Sequence, residues 1–330
     1  MPGKKSEEKK PKPERSRKAP DTIPVDQITM QPGETVETLV EKLANTGFAA
    51  KRLGRACDIY WKMVQNPNCT KFFGLAGAMV PVGMQQVIID FIREGFIDVL
   101  VTTGANLTHD LAECLGFRHQ QGHTATGDEK DTDLYEERIN RIYDVFMPNE
   151  VYESMEDYVK TLDFPITMPV REFLEYLGQT LASQPRDCIL KAAADMHVPI
   201  FCPAFTDSGL GMQVMFRFQQ EGLNLNVFND LNAMVDKAWD ANPAGVCVIG
   251  GGVPKNFIMQ AMQFSPTSAQ YAIQITMDRP EPGGLSGAEL REAISWGKVN
   301  KDAEFVDVIC DATIALPILL AYLKSKKYPQ

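Results

Sequence analysis

The sequence predicts an α/β fold built on a doubly wound, mainly parallel, Rossmann-like sheet that follows a set of N-terminal helices. One plan recurs along the chain: a short apolar run, a turn of Gly or polar residues, and then an amphipathic helix. The apolar runs are continuous rather than alternating, which is typical of strands buried on both faces. A helical pattern without strands precedes the first run. We therefore expect one α/β domain over residues 26–330, after a tail over residues 1–25.

The tail is basic and rich in proline. Residues 1–20 carry eight Lys or Arg and three Glu, a net charge of +5. The formal net charge of the whole chain is −10, so the remaining residues carry about −15. This composition predicts disorder. A solubilising tail and an arm that folds across an acidic site are both compatible with it.

Two packing helices are predicted next. Thr35 is a candidate N-cap for a helix with one apolar face that ends at residues 45–47. A second helix runs from Phe48 to the turn at residues 66–68. Neither helix is assigned any chemistry.

Six apolar runs are the predicted strands of the sheet, at residues 72–75, 97–101, 199–202, 245–249, 271–276 and 306–310. Ligands of parallel sheets bind at the carboxyl ends of the strands, so the turns after these runs are expected to form one site. The candidate cofactor-binding residues in these turns are Gly77, Thr102, Thr103, Gly104, Gly250, Gly251, Gly252 and Asp311.

The triple glycine of residues 250–252 lets backbone N–H groups approach a pyrophosphate closely. It lacks the full GxGxxG spacing, and a tight turn without a ligand explains it equally well. Thr102, Thr103 and Asp311 add hydroxyl donors and an acid, although each of them also fits a helix cap. Together, after successive strands, they favour a dinucleotide.

A lysine follows a predicted helix near the C-terminus. Ser286 and Glu289 have the spacing of a capping box, so this helix is expected to begin at Ser286 and end at Gly297. Lys298, beside Trp296, is either a solvated cation at a helix end or a desolvated amine against an indole. Burial lowers the pKa of a lysine, and the neutral amine attacks imine or carbonyl carbons.

Composition excludes several classes of protein. No window approaches 18 apolar residues and the N-terminus lacks an apolar signal core, so neither a membrane span nor secretion is expected. Seven scattered cysteines without a CxxC pair indicate a reducing cytoplasm rather than disulfides or a metal site. The negative charge argues against a nucleic-acid partner.

Ordered segments from about Phe72 to Tyr322 carry a resemblance to the deoxyhypusine synthase family. They are GGGVPK at residues 250–255, SWGK at 295–298, Asp311 with Ala312, VLVTT at 99–103, RINRI at 138–142 with PNE at 148–150, and PAFTD at 203–207.

The resemblance implies a cytoplasmic homotetramer that uses NAD. Members of the family oxidise spermidine, trap its butylamine part as an imine on a lysine, and pass it to a lysine of a translation factor. Lys298 matches the nucleophile, and Trp296 matches the residue that packs along the polyamine. Glu292 and Asp207 match acids near the substrate and the cofactor.

Departures from the family pattern put the substrate in question. The chain has Met212, Pro282 and Leu285 where the family has acids, Asn256 for a histidine, His109 for a glutamate, and Gly77 with Ala78 for a Ser-Asn pair. A charge-assisted hydrogen bond is worth roughly 1.5–3 kcal/mol, so such losses predict that ordinary spermidine is rejected unless other groups compensate. A homospermidine-type synthase with a small amine as acceptor, a non-catalytic cofactor- or polyamine-binding homologue and, less favoured, a nicotinamide dehydrogenase remain alternatives.

The histidines are first interpreted as structural residues. His109, near the start of a helix, is more often a satisfied structural residue, and the alternative is a proton shuttle near pH 7. His119 and His123 are not expected to form a metal pair with it. His109 and Asn256 stay candidate substrate-binding residues.

Overall fold

A computed structural model describes residues 24–122 and 130–329. The predicted disordered tail lies outside the described residues, apart from its last two positions. In the described part of the chain the strands are β1 (Thr70–Leu75), β2 (Val99–Thr102), β3 (Gln120–Gln121), β4 (Ile139–Ile142), β5 (Val145–Pro148), β6 (Thr167–Pro169), β7 (Ile200–Phe201), β8 (Asn224–Asn226), β9 (Ala244–Ile249), β10 (Ala269–Thr276) and β11 (Val299–Ile309). The α-helices of the same part are α1 (Val36–Ala44), α2 (Phe48–Gln65), α3 (Gln85–Arg93), α4 (Gly104–Cys114), α5 (Asp131–Glu136), α6 (Glu150–Lys160), α7 (Val170–Thr180), α8 (Ile189–Asp195), α9 (Gly209–Glu221), α10 (Val227–Asp240), α11 (Gly252–Met262), α12 (Leu290–Ser295) and α13 (Ala312–Lys327).

The central sheet has six strands in the order β11-β10-β9-β1-β2-β7, and every neighbouring pair is parallel. Each of the six predicted apolar runs overlaps one of these strands. The predicted parallel α/β fold is therefore confirmed.

Strand order places a cleft between β1 and β9. From β1 the chain moves outward to β2 and then β7, whereas β9, β10 and β11 extend the sheet in the other direction. The turns after β1 and β9 therefore leave the sheet on opposite sides and open a crevice at the carboxyl edge.

Helices cover both faces of the sheet. Phe72 and Phe73 are consecutive in β1 and fully buried, but they point to opposite faces and join separate core clusters. Phe73 packs in the cluster that includes α2, α3 and α13, and Phe72 in the cluster that includes α10, α11 and α12. This double coverage explains why the strands read as continuous apolar runs.

The two N-terminal helices are confirmed. The Thr35 hydroxyl accepts a hydrogen bond from the Thr38 N–H at 3.2 Å and caps α1, which ends at Ala44. A Cβ added to Gly54 would lie 2.7 Å from the Ala44 Cα, so glycine allows α1 to pack closely on α2.

The predicted capping box at Ser286 is wrong. Residues Leu285–Gly287 form a 3-10 turn, and the Ser286 hydroxyl donates to the Asp278 carboxylate. Helix α12 begins only at Leu290, whose N–H donates to the Asp307 carboxylate of β11 at 3.1 Å. A tertiary contact therefore replaces the local cap. The predicted end is close to that observed, since α12 stops at Ser295.

Two small sheets were not predicted. Strands β3, β5 and β4 form an antiparallel sheet, and β6 pairs with β8 in parallel. All five strands have four residues or fewer, too short for a clear hydrophobic period. Among the described residues, none of the helices combines the length and the apolar composition that a bilayer span requires.

Candidate active site

Glycine turns from β1 and β9 meet at the cleft. The Ala76 N–H donates to the Ile249 carbonyl at 3.0 Å, and a Cβ built on Gly250 would lie 3.4 Å from the Ala76 Cβ. Gly77 and Gly250 have φ values of 79° and 72°, in the left-handed region that favours glycine. The two turns therefore line one crevice at the carboxyl edge.

Helix α11 begins in this crevice with free donors. Among the described residues, the N–H groups of Gly251, Gly252 and Val253 have no hydrogen-bond acceptor. The space where a Gly252 side chain would stand is open. Free N–H groups at the positive end of a helix dipole bind anions, so this helix start fits a pyrophosphate.

The polar candidate residues around the crevice already form hydrogen bonds within the fold. The Thr102 hydroxyl is buried and donates to the Leu75 carbonyl at 3.0 Å. Thr103 caps α4, and Asp311 caps α13 through its Oδ1, which accepts the Thr313 N–H at 2.7 Å. For Thr103 and Asp311, the helix-cap interpretation accounts for the contacts that the structure contains.

Gly104 and Asp207 lie at the other end of the carboxyl edge. A Cβ on Gly104 would come within 2.5 Å of the Ser208 Cβ, so glycine permits the α9 N-terminus to contact α4. Asp207 is exposed in the turn immediately before Ser208. The structure thus brings Asp207 close to the start of α4.

Lys298 lies in a groove between α11 and α12. Its side chain is half-buried, and Nζ stands 5.1 Å from the centroid of the Trp296 ring, within the range of a cation–π contact. Gly297, with φ 66°, makes the turn that brings the two side chains together. The amine therefore lies over an indole that is itself 57% exposed.

The groove encloses a cavity of about 60 Å³. Its walls are Lys255, Asn256, Met259, Leu285, Ala288, Glu289, Glu292, Ala293, Trp296 and Lys298. Glu289 is paired with Arg291 at 2.5 Å, which leaves Glu292 as the carboxylate without a recorded partner in the described residues. The cavity thus combines apolar walls with the carboxylates of Glu289 and Glu292 and the amines of Lys255 and Lys298.

Lys255 is a second lysine of the groove, and sequence reasoning did not select it. It is 4% exposed, and its Nζ donates to Gln274 Oε1 at 2.8 Å and to the carbonyls of Ala288 at 2.5 Å and Leu285 at 3.2 Å. Burial lowers the pKa of its ammonium group. With all three donors used, Lys255 holds the groove wall in place.

Gln274 connects this wall to the crevice. Its Nε2 donates to the carbonyls of Gly250 at 3.0 Å and Ser286 at 2.7 Å. The sequence signal for this role was the position of Gln274 inside an apolar strand, where a buried amide group needs hydrogen-bond partners.

Lys298 and the glycine turns lie at opposite edges of the sheet. The Lys298 carbonyl accepts from Ala269, the first residue of β10, whereas Gly250 pairs with Ile275 near its end. At about 3.3 Å per residue, this separation is roughly 20 Å. The backbone of Lys298 therefore lies at the amino edge, and its side chain reaches into a groove whose wall, through Lys255 and Gln274, contacts the Gly250 carbonyl.

His109 has a partner that was not predicted. Its Nδ1 lies 2.9 Å from His119 Nε2, across a loop that the sequence left unassigned. Burial and the neighbouring His119 lower the pKa of His109 to about 4, so His109 alone does not titrate near pH 7. No cluster of metal ligands occurs among residues 24–122 and 130–329, and His123 lies outside them.

Comparison with known proteins identifies relatives over most of the chain. A family model described as "Deoxyhypusine synthase" matches residues 38–323. "Probable deoxyhypusine synthase 1" of Methanosarcina mazei is 44% identical over 308 residues, which is 92% of this chain and 96% of the relative. The protein of the same name from Archaeoglobus fulgidus is 42% identical over 298 residues, which is 89% of this chain and 95% of the relative.

A solved structure shares the fold. It comes from Entamoeba histolytica and is assigned to the same family, with a TM-score of 0.61 and 20% identity over 88% of this chain and 93% of that one.

Proposed function

Because the chain belongs to the deoxyhypusine synthase family, a family of aminobutyl transferases, we propose that it transfers an aminoalkyl group from a polyamine such as spermidine. The acceptor is another amine, Lys298 is the nucleophile and NAD is the cofactor. The observation that carries the proposal is the half-buried Lys298 amine, packed against Trp296 in a cavity that also contains Glu292.

Lys298 acts on an oxidised donor. Its amine adds to the C=N carbon of the donor imine, the bond from that carbon to the departing amine breaks, and an imine on Lys298 results. The acceptor amine then replaces Lys298 at this carbon. Reduction of the product imine returns the two electrons taken from the donor, so the overall transfer involves no net oxidation.

NAD fits the crevice at the carboxyl edge. The free N–H groups at the start of α11 would hold its pyrophosphate, and the open space beside Gly252 leaves room for it. When bound, NAD supplies the oxidation of the donor and the reduction of the product.

A second copy of the chain is part of this proposal. The backbone of Lys298 lies roughly 20 Å from the glycine turns along the strands. We propose that another copy brings its glycine turns to Lys298 within a homo-oligomer, a tetramer by family resemblance.

Apolar surface on α9 and α10 supports this assembly. A cavity of about 310 Å³ lined by Met215, Phe218 and Val227 adjoins one of about 160 Å³ lined by Val227 and Phe228. The Phe218 and Phe228 side chains are 57% and 77% exposed. Exposed apolar patches of this kind mark interaction surfaces.

Groove composition favours a donor with few charges. Leu285 and Met259 form apolar walls, and Glu292 is the one carboxylate without a recorded partner there in the described residues. One carboxylate can hold one ammonium group, so the groove offers fewer anchors than a polyamine with ammonium groups at both ends would use. This feature keeps a homospermidine-type synthase as a second candidate beside transfer to a translation-factor lysine.

Borohydride trapping tests the proposal. We expect incubation with NAD, a donor amine and borohydride to leave a reduced aminoalkyl adduct on the peptide that contains Lys298, read by mass spectrometry. Lys298→Arg should abolish the adduct and product formation while NAD binding persists. Lys301→Arg, an exposed lysine of β11, is the control and should behave as wild type.

Two outcomes contradict the proposal. Turnover by Lys298→Arg would exclude the covalent step. Absence of any adduct with spermidine, homospermidine and short diamines would favour the third candidate, a homologue that binds cofactor or polyamine without catalysis, for which the replaced carboxylates are the supporting observation.

A further inference from the structure

A short segment borders both the crevice at the carboxyl edge and the groove that contains Lys298. Residues 285–289 lead from a 3-10 turn into α12. A Cβ built on Gly251 would lie 2.3 Å from the Ser286 Cα, so the triple glycine turn contacts this segment directly. The walls of the groove include three residues of the same segment, Leu285, Ala288 and Glu289.

Lys255 joins the 285–289 segment to the first turn of α11. Its backbone N–H donates to the Gly251 carbonyl at 3.3 Å, so Lys255 belongs to the helix turn that begins with free N–H groups. Its ammonium group donates to the carbonyls of Leu285 and Ala288 at 3.2 and 2.5 Å. Because Lys255 is only 4% exposed, a displacement of this turn would act on the segment through well-packed contacts.

Gln274 of β10 completes the connection. It is 1% exposed, and its Oε1 accepts from Lys255 Nζ at 2.8 Å. Its Nε2 donates to the carbonyls of Gly250 and Ser286 at 3.0 and 2.7 Å. Both donors of the amide and all three donors of the ammonium group are thereby used. A continuous series of hydrogen bonds thus runs from the glycine turn to the 285–289 segment.

The 285–289 segment leads directly into the helix that carries the side chains of the groove. Helix α12 contains Glu292, and Trp296 and Lys298 follow its end. Burial lowers the pKa of Lys255, and the charges of Asp307 and Glu292 oppose this shift. The Lys255 ammonium group therefore interacts with a carboxylate of the groove as well as with its wall.

Glycines flank this part of the chain on both sides. Gly283 and Gly297 have φ values of 73° and 66°, and the space where a side chain would stand is open at both. Backbone at such positions changes conformation at little cost. Residues 285–296 can therefore shift between these two glycines when their hydrogen-bonded partners move.

We propose that Lys255 and Gln274 couple the two sites, so that a dinucleotide bound at the start of α11 strengthens the binding of an amine in the groove of the same chain. The inference rests on the proposed function, which assigns NAD to the crevice and a donor amine to the groove. A ligand on the free N–H groups orders the first turn of α11, and the hydrogen bonds extend this order to the groove wall. The second ligand then has less to order when it binds.

Titration calorimetry measures this coupling on the full-length protein. NADH is the probe for the crevice because it cannot oxidise an amine, and 1,4-diaminobutane is the probe for the groove. We expect saturating NADH to tighten diamine binding by about 5–150-fold, and the diamine to tighten NADH binding by the same factor, since coupling is reciprocal. Independent binding of the two probes to the wild type would overturn the inference.

Variants of the two residues identify the connection. Gln274→Leu and Lys255→Met should each bring the coupling factor close to one, and the double variant should add little because both belong to one connection. Lys71→Met is the matched control, since Lys71 is 8% exposed, donates to the Cys69 carbonyl at 3.2 Å and pairs with Asp98. It should lower stability to urea and keep the wild-type coupling factor. Equal coupling factors in all three single variants would overturn the inference, because positions with a purely structural role would behave alike.

Hydrogen exchange gives a reading that needs neither turnover nor a stable variant. In the wild type, NADH should slow the exchange of amides in residues 285–296 as well as in residues 250–255. Slower exchange that is confined to residues 250–255 would show that the groove wall does not respond, and would overturn the coupling.

Failure of the coupling and failure of the proposed function give different results. Coupled binding without a Lys298 adduct in borohydride trapping would reject the transfer reaction and support the coupling. An adduct together with independent binding of NADH and diamine would support the reaction and reject the coupling.

Discussion

Buried carboxyl groups join segments that are far apart in sequence. Asp110 of α4 accepts the N–H groups of Ile189 and Leu190 at 2.8 and 2.9 Å, and thereby anchors the start of α8. Because the partners are backbone groups about 80 positions away, no side-chain pattern reveals them. The contact between His109 and His119 was missed because His119 lies in a loop without periodicity.

Asp230 should make stability depend on pH. It is 5% exposed, its Oδ1 has no partner among the described residues, and burial raises its pKa from 3.8 to about 6. Between these values the folded chain binds more protons than the unfolded chain, so this contribution to stability falls as pH rises from about 4 to about 6. As pH rises from 4.5 to 7, we expect the free energy of unfolding of Asp230→Asn to increase by about 1–3 kcal/mol relative to that of the wild type.

Urea unfolding at several pH values measures this difference. Asp236→Asn, which is exposed on the same helix, controls for the loss of a charge and should give no relative change. Curves for Asp230→Asn and wild type that stay parallel would show that Asp230 has an ordinary pKa in the folded chain.

At the scale of elements, the six strands and the early helices followed from apolar periodicity, because one face or both faces of each must be buried. Local sequence signals gave a wrong prediction where tertiary contacts determine the structure. Ser286 had the right spacing for a cap, yet its hydroxyl bonds to Asp278, and Asp307 positions the start of α12 instead. The short strands β3 to β6 carry too few residues for a period.

Helices α7 and α8 pack so closely that an added methyl group should not fit between them. A Cβ on Gly178 would lie 2.3 Å from the Leu190 carbonyl oxygen, and backbone cannot shift as cheaply as a side chain. We expect Gly178→Ala to destabilise the fold by about 1–3 kcal/mol. Calorimetry should record a Tm lower by several degrees, whereas Gly284→Ala, with φ −73° and open surroundings, should leave Tm nearly unchanged. Equal Tm values for both variants would mean that the two helices separate easily.

The parallel arrangement of the whole molecule was predictable, and so was the crevice at its carboxyl edge, because connections between parallel strands fix where turns gather. The distance between Lys298 and that crevice was not. The predicted strand covered residues 306–310, whereas β11 begins at Val299, so only the structure shows that Lys298 stands directly before this strand at the amino edge of the sheet.

Introducing charge at the apolar surface tests the assembly of the whole protein. We expect light scattering to report an oligomer for wild type and a smaller species for Phe218→Glu, because a buried carboxylate opposes association. Tyr135→Glu changes an 83% exposed aromatic residue on α5 and should leave the mass unchanged. A monomeric wild type, or a Phe218→Glu protein of wild-type mass, would argue against an interface at α9 and α10.

The placement of Lys298 at one edge and the glycine turns at the other has a genetic counterpart. Suppose that one allele encodes a chain without the amine and another encodes a chain whose turns cannot receive a cofactor. In the proposed oligomer each product alone would be inactive, yet a mixed assembly would contain some junctions that join the sound half of one product to the sound half of the other. Two defective alleles would then complement each other, and activity would be a property of the junction rather than of the individual polypeptide.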